Sequence, residues 1–209
     1  MNCLLIDTST SYLNICILDY SNKKLLYKFN EMVKSDMSSK IVPIIDEGLK
    51  SNNLSLSDIN RIFVVNGPGS FTGIRVGVTV AKTIAWALKI DIIPISSLAL
   101  MASINTDKKY IVPLIDARRN NVFGAIYDEN LNSILSDRLI NIDELLNNVD
   151  NDSLFVSYDN ISLENIVKPD IDIFKLINKY INEKPINPHN LNPNYLKLTE
   201  AEENKNKND

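Results

Sequence analysis

The sequence predicts an α/β protein of two lobes, each built on a mixed β-sheet flanked by helices, and three observations lead to this prediction. The first half opens with a meander of three strands and then alternates strand and helix. A strand, a glycine-rich loop and a long helix follow one another directly over residues 61–81. A second half beginning at Tyr110 repeats this outline in a shorter form.

The elements of the first half follow from apolar periodicity and turn residues. Short apolar runs bounded by turn-forming residues predict strands at residues 2–6, 13–18, 25–29, 62–65 and 91–95. We expect Pro94 to stop the last of these strands. Apolar residues at helical spacing predict helices at residues 36–51, 71–88 and 97–104. The resulting order, β-β-β-α-β-α-β-α, favours an actin-like or ribonuclease-H-like lobe of the ASKHA fold.

The second half begins with a predicted hairpin, whose turn is Arg118-Arg119-Asn120-Asn121. Further strands are predicted at residues 134–139 and 154–157, and helices at 142–149, 162–167 and 172–181. The proline- and asparagine-rich stretch that follows predicts a wrap rather than a helix. We expect three parts: a first lobe at residues 1–105, a second lobe with the wrap at 106–198, and a disordered tail at 199–209.

The loop GPGSFTG at residues 67–73 joins the central strand to the long helix. A glycine loop at a helix N-terminus can hold an anion, because backbone N–H groups and the helix dipole point to it. The two commonest phosphate motifs are absent, since no Lys-Ser or Lys-Thr follows Gly73 and the spacing is G-x-G-x-x-x-G. The alternative is that the glycines serve only close packing of helix on strand.

Composition limits the functions to consider. The 209 residues are 44% hydrophobic and 23% charged, which is typical of a globular protein. A net charge of −4 with no basic run gives no electrostatic reason to bind nucleic acid without a partner. Cys3 and Cys16 lie in apolar strands, where buried free thiols are usual, and no apolar stretch reaches the length of a membrane span. We therefore expect a cytoplasmic protein.

Few side chains could carry chemistry. His189, the one histidine, lies between prolines near the end, so a Ser-His-Asp or Cys-His mechanism and a zinc site are both disfavoured. Asp7 ends the first strand, where actin-like ATPases place a carboxylate near magnesium, but its turn Thr8-Ser9-Thr10-Ser11 has no glycine for phosphate. Asp7 either faces a cleft together with Asp116, which ends the matching strand of the second half, or only caps its own turn.

Five motifs, taken together, resemble one known family. They are DTST at 7–10, GPGSFTGIRVG at 67–77, SSL at 96–98, DARR at 116–119 and PNYLK at 193–197. In this order they resemble the TsaB (YeaZ) family. The resemblance implies a bacterial ASKHA protein that is not a catalyst but pairs with the transferase TsaD, and a third protein, the ATPase TsaE, joins them. The complex attaches a threonylcarbamoyl group to N6 of the adenosine next to the anticodon of tRNAs.

The resemblance also implies a partner interface on the two long helices of the first lobe. Arg75 and Lys82 are the only charges between residues 71 and 88, which supports a second helix covered on two sides. The predicted interface is Met37, Ile41, Ile44, Ile45, Gly73, Val76, Gly77, Val80 and Thr83. Many family members carry His-Ser-Glu where this chain has Met37-Ser38-Ser39, so no role of that histidine can be carried over.

Cofactor and assembly expectations are limited. A vestigial nucleotide cleft would be formed by Asp7, Thr8, Ser9, Gly67, Gly69 and Asp116. We expect no cofactor or metal in the isolated chain, and leave open ATP or ADP with magnesium at the interface of the complex. We expect tRNA contact only through the complex, and leave open a homodimer in the partner's absence. The alternatives are an autonomous ATPase or small-molecule kinase of the same fold and, more remotely, a peptidase.

Overall fold

The computed structural model describes residues 1–33 and 36–196. Two five-stranded sheets form the chain. The strands of the first sheet are β1 (Asn2–Asp7), β2 (Tyr12–Asp19), β3 (Lys24–Met32), β4 (Ile59–Gly67) and β5 (Asp91–Ser96). Their order across the sheet is β3-β2-β1-β4-β5, with β1 antiparallel to β2 and parallel to β4. The predicted mixed sheet is therefore confirmed.

The second sheet repeats this arrangement. Its strands are β6 (Tyr110–Asp116), β7 (Asn121–Asp128), β8 (Ser133–Asn141), β9 (Ser153–Val156) and β10 (Ile166–Val167). Their order is β10-β9-β6-β7-β8, again with one antiparallel and one parallel neighbour for the central strand. The two sheets thus share one topology of mixed strands.

Five α-helices lie between and outside the two sheets in the described part of the chain. They are α1 (Met37–Lys50), α2 (Phe71–Leu88), α3 (Ser97–Ala102), α4 (Ile142–Leu146) and α5 (Ile173–Tyr180). α1 and α2 share an apolar core with the first sheet, and α4 shares one with the second. These three helices therefore lie on the outer faces of the sheets. A third core joins α3 and α5 to the inner faces of both sheets. The lobes are therefore packed on a common apolar layer, which stabilises both.

Two local predictions were wrong. Pro94 does not stop β5, which continues to Ser96, because β5 pairs only with β4 along its proline. The missing N–H then falls on an edge strand, where no ladder bond is lost. The helix predicted at 162–167 is absent, and residues 166–167 form the short strand β10 instead. A parallel pairing with β9 stabilises them, which no local pattern predicts.

Residues 187–196, here called the C-terminal strap, return from the second lobe to α2. Leu191 is 1% exposed and belongs to the core beneath α1 and α2. The Asn194 N–H donates to the Asn66 carbonyl at 2.7 Å, at the end of β4. The strap is thus fixed to the first lobe at two points, Leu191 and Asn194. The expected tail at 199–209 lies outside the described residues, and the proposed boundaries between the three parts stay predictions.

Candidate functional site

The glycine loop packs on the turn that follows β1. Gly69 has φ +148°, and a side chain there would overlap the backbone carbonyl of Ser9. The Ser70 N–H donates to that same carbonyl at 2.7 Å. Within the first turn of α2, the Gly73 N–H donates to Oγ of Ser70 at 3.2 Å. The loop is therefore engaged in packing and capping, which supports the packing interpretation of its glycines.

Thr8 lies directly under α2. Its Oγ1 donates to the Gly73 carbonyl at 2.7 Å, and its side chain packs against Gly77. A Cβ at Gly73 would overlap the Thr8 carbonyl. Small residues at steps of four along α2 therefore let the helix approach the first strand closely. Gly73 and Gly77 face the interior of this chain, which corrects their assignment to a partner interface.

Asp7 is enclosed rather than open to a cleft. It is 1% exposed, and its carboxylate accepts bonds from the Ser9 N–H at 2.8 Å, the Ser9 hydroxyl at 2.7 Å and the Asn14 side-chain amide at 2.8 Å. Burial raises the pKa of Asp7, while the bonds from Ser9 and Asn14 act in the opposite direction. Asp7 therefore caps its own turn, and the expectation that it shares a cleft with Asp116 is wrong.

A cleft of about 1140 Å³ lies between the lobes. Three of the six residues predicted for a nucleotide cleft line it, namely Ser9, Gly69 and Asp116. The other three do not reach it: Asp7 and Thr8 lie behind Ser9, and Gly67 packs against the strap at Asn194. The predicted nucleotide cleft is therefore assembled only in part.

The charges that line the cleft are mostly negative. Asp36, Asp116 and Asp159 face it with one cation, Arg118. The Asp116 N–H donates to Asp159 at 2.9 Å, and burial, with the nearby Asp116 carboxylate, raises the pKa of Asp159. Like charges at such a site repel a phosphate group. The lining therefore carries a net negative charge, with three carboxylates against one arginine.

The predicted partner interface divides into two sets. Ile41, Ile44 and Ile45 are buried in the core between α1 and the first sheet, together with Gly73 and Gly77 of α2. For these five residues the structure corrects the prediction, because an amphipathic helix packs its apolar stripe against its own sheet. Four predicted residues keep surface that a partner could reach: Met37, Val76, Val80 and Thr83.

The outer face of α2 carries further apolar surface that the sequence analysis did not single out. Trp86, the one tryptophan of the chain, is 62% exposed, and Phe71 is exposed at the other end of the helix. At a rise of 1.5 Å per residue these two positions are about 22 Å apart along the helix axis. On α1, Val42 is 55% exposed. Tryptophan on a helix with so few charges was the signal in the sequence that could have revealed this face.

Across residues 1–33 and 36–196, no three His, Cys, Asp or Glu side chains come together in a way that could hold a metal ion. In the same ranges, no helix has the length and apolar character needed to cross a membrane.

The two sheets, their shared topology and the cleft between them define an actin-like protein of the ASKHA class. Two solved structures from Pseudomonas aeruginosa have this fold over nearly their whole length. One is described as an uncharacterized protein with similarity to peptidase YeaZ (TM-score 0.78, 20% identity, 94% of this chain and 99% of that chain). The other is YeaZ itself (TM-score 0.75, 18% identity, 93% and 99%).

Sequence relatives narrow the class to one family. Residues 31–202 match the family model for TsaD, tRNA N6-adenosine threonylcarbamoyltransferase. The tRNA threonylcarbamoyladenosine biosynthesis protein TsaB of Bacillus subtilis is 29% identical, over 97% of this chain and 96% of the relative. TsaB of Haemophilus influenzae is 30% identical, over 80% and 78%. The chain therefore belongs to the family that this model describes and, within it, to the TsaB proteins of tRNA threonylcarbamoyladenosine biosynthesis.

Proposed function

We propose that this chain is a non-catalytic subunit that binds and activates a TsaD-like transferase in the N6-threonylcarbamoylation of adenosine next to the anticodon of tRNAs. The observation that carries the proposal is the outer face of α2. It presents the exposed Thr83 and Trp86 together with Val76 and Val80, which are half-buried and also pack against the core of the first lobe. An apolar helix face that carries an exposed tryptophan is typical of protein interfaces.

The charges of α2 support this assignment of its outer face. Arg75 lies over the ring of Phe71, 3.8 Å from its centroid, and its Nε donates to the Tyr195 hydroxyl at 2.7 Å. Lys82 donates to backbone carbonyls of the strap. Both cations contact the strap or the first turn of the helix. A partner that covers Val76 and Val80 therefore need not desolvate an unpaired charge.

The absence of a catalytic role for this chain is supported by its carboxylates. Asp7, the residue best placed by sequence to hold magnesium, is enclosed by three hydrogen bonds. The proposal assigns the chemistry to the transferase, with a TsaE-like ATPase as a third component and tRNA bound only through the complex. A nucleotide with magnesium would be held at the interface of the complex, where a partner could add cations to the one arginine of this cleft, Arg118.

The experiment that tests the proposal is a calorimetric titration of the purified chain with the purified TsaD-like transferase of the same organism. We expect one-to-one binding, and we expect Val80→Asp to weaken it at least about a hundredfold, because an unpaired carboxylate would be buried in an apolar interface. In wild-type chain labelled with 5-fluorotryptophan, the ¹⁹F signal of Trp86 should shift when unlabelled transferase is added.

The matched control is Ile134→Asp, which places the same charge on a side chain that is 58% exposed on β8 of the second lobe. It should bind as the wild type does. Because Val80 is half-buried, circular dichroism and thermal unfolding must show that Val80→Asp is folded. Trp86→Ala, at a more exposed position, provides a second variant. Equal affinity for both α2 variants and wild type would refute the interface, and magnesium-dependent ATP binding by the isolated chain would favour an autonomous ATPase or kinase instead.

A further inference from the structure

The exposed aromatic rings of the described residues lie together around α2. Three of the large apolar side chains that are exposed are aromatic: Phe71 and Trp86 at the two ends of the helix, and Tyr195 in the C-terminal strap. Tyr195 stacks on Phe71 with ring centroids 4.8 Å apart. The strap therefore adds an aromatic residue to the same surface, although 124 positions separate Tyr195 from Phe71 in the sequence.

Arg75 links Tyr195, near the C-terminal end of the strap, to α2. Its guanidinium lies over the Phe71 ring, 3.8 Å from the centroid, and is 5.7 Å from the centroid of Tyr195. Its Nε also donates to the Tyr195 hydroxyl at 2.7 Å. A cation over aromatic faces, with a hydrogen bond to one of them, orders three side chains before any partner arrives.

Lys82 holds the middle of the strap. Its Nζ donates to the carbonyl of Leu191 at 2.8 Å and to that of His189 at 3.3 Å. Leu191 is inserted in the core, so the ammonium group and an apolar anchor fix the same stretch of backbone. This arrangement places His189 beside the C-terminal half of α2.

At this second end the strap forms a small groove with α2. The ring of His189 meets that of Trp86 edge-on, with centroids 6.1 Å apart. Pro188 and His189 on one side, and Thr79, Thr83 and Trp86 on the other, enclose about 320 Å³. The groove is continuous with the α2 face, because Thr83 and Trp86 belong to both.

We propose that the C-terminal strap is part of the transferase-docking surface, with Tyr195 as a contact residue and Lys82 as the residue that positions the strap. This inference rests on the proposed function. The occupant is the same TsaD-like transferase, because the strap adjoins the α2 face at Thr83 and Trp86, and because Tyr195 stacks on Phe71 at the other end of α2, where both rings line the cleft. Aromatic residues and arginine, ordered in advance, are the residue types that contribute most to binding at interfaces.

The test compares three variants in the titration with the purified transferase. Tyr195→Ala removes a contact ring, and we expect it to weaken binding about tenfold or more. Lys82→Met keeps the apolar stem but removes both bonds to the strap, and we expect a smaller loss. Lys175→Met is the matched control, because its Nζ, on α5 of the second lobe, also donates to a backbone carbonyl, that of Ile104 at 2.7 Å. It should bind as the wild type does.

Hydrogen exchange in the wild-type complex gives a readout that does not depend on any variant. Amides of residues 187–196 should exchange more slowly when the transferase is bound. The inference is overturned if Tyr195→Ala and Lys82→Met bind as tightly as wild type and strap exchange is unchanged while Val80→Asp fails to bind, an outcome that leaves the proposed function intact. Wild-type binding by Val80→Asp as well would refute both. The inference would also be overturned if Tyr195→Ala dissociated a homodimer of this chain without changing transferase affinity.

Discussion

Each lobe ends the first strand of its central pair with an aspartate, and the two aspartates have opposite environments. Asp7, at the end of β1, is buried and accepts three hydrogen bonds from its own turn and from β2. Asp116, at the end of β6, is exposed and lines the cleft. The same position in the same topology therefore gives a structural group in one lobe and a surface charge in the other.

The difference comes from what packs on the turn that follows each aspartate. In the first lobe the turn lies beneath α2, where Thr8 and Ser9 contact the backbone of the helix and its loop. In the second lobe the turn is built from three successive left-handed residues, Arg118, Arg119 and Asn120, with φ values of 67°, 55° and 59°. A helix packed over the turn buries the polar groups of that turn, and buried polar groups must be hydrogen-bonded. The Asp7 carboxylate is therefore enclosed and does not face the cleft.

The largest effect on this comparison is expected from a substitution that forces α2 away from the turn after β1. Gly73→Ala should destabilise the chain by about 2–3 kcal/mol, because the new methyl group would overlap the Thr8 carbonyl. Helix propensity alone predicts the opposite sign, a gain of about 1 kcal/mol. Urea unfolding at 25 °C measures the change. Thr79→Ala, exposed on the same helix, is the control and should stay within about 0.5 kcal/mol of wild type. A more stable Gly73→Ala protein would contradict the close packing.

Local sequence signals were sufficient for much of the fold. The bounds predicted for α2, 71–88, are those observed, because a glycine loop and an uninterrupted apolar period mark this helix within its own sequence. Periodicity also placed β1 and β2. It could not show that Ile41 and Ile45 of α1 pack against the sheet, since an apolar stripe on a helix does not identify the neighbour that covers it.

The site depended on contacts between distant parts of the chain. Tyr195 meets Arg75 across 120 positions, and Asp159 meets Asp116 across 43, and neither pair belongs to one local pattern. Asp7 was correctly recognised as a candidate cap, but the choice between cap and ligand needed the position of Asn14 on the neighbouring strand. Contacts between distant residues therefore decide the roles of these side chains, which composition and motif spacing alone could not.

A second way to sharpen the comparison is to remove each aspartate. Asp7→Ala should cost about 2 kcal/mol of stability, because it leaves buried donors of Ser9 and Asn14 without an acceptor, partly offset by relief from burying a charge. Asp116→Ala, at the exposed position, should cost less than about 1 kcal/mol. Urea unfolding of the two variants side by side gives the difference. Equal losses would show that Asp7 is not the more deeply integrated of the two.

The smallest expected effect concerns the charge of the cleft itself. Burial and the neighbouring Asp116 carboxylate raise the pKa of Asp159 above its value in the unfolded chain, so its charged form opposes folding. Stability is therefore lost as pH rises from the unfolded pKa, about 3.9, through the folded one. Asp159→Asn keeps an oxygen for the Asp116 N–H and should be more stable than wild type at pH 7, with the gain absent near pH 3. Glu129→Gln, which removes one exposed charge from the same lobe, is the control in urea unfolding at both pH values. A gain of the same size at pH 3 and pH 7 would show that repulsion within the cleft is not its source.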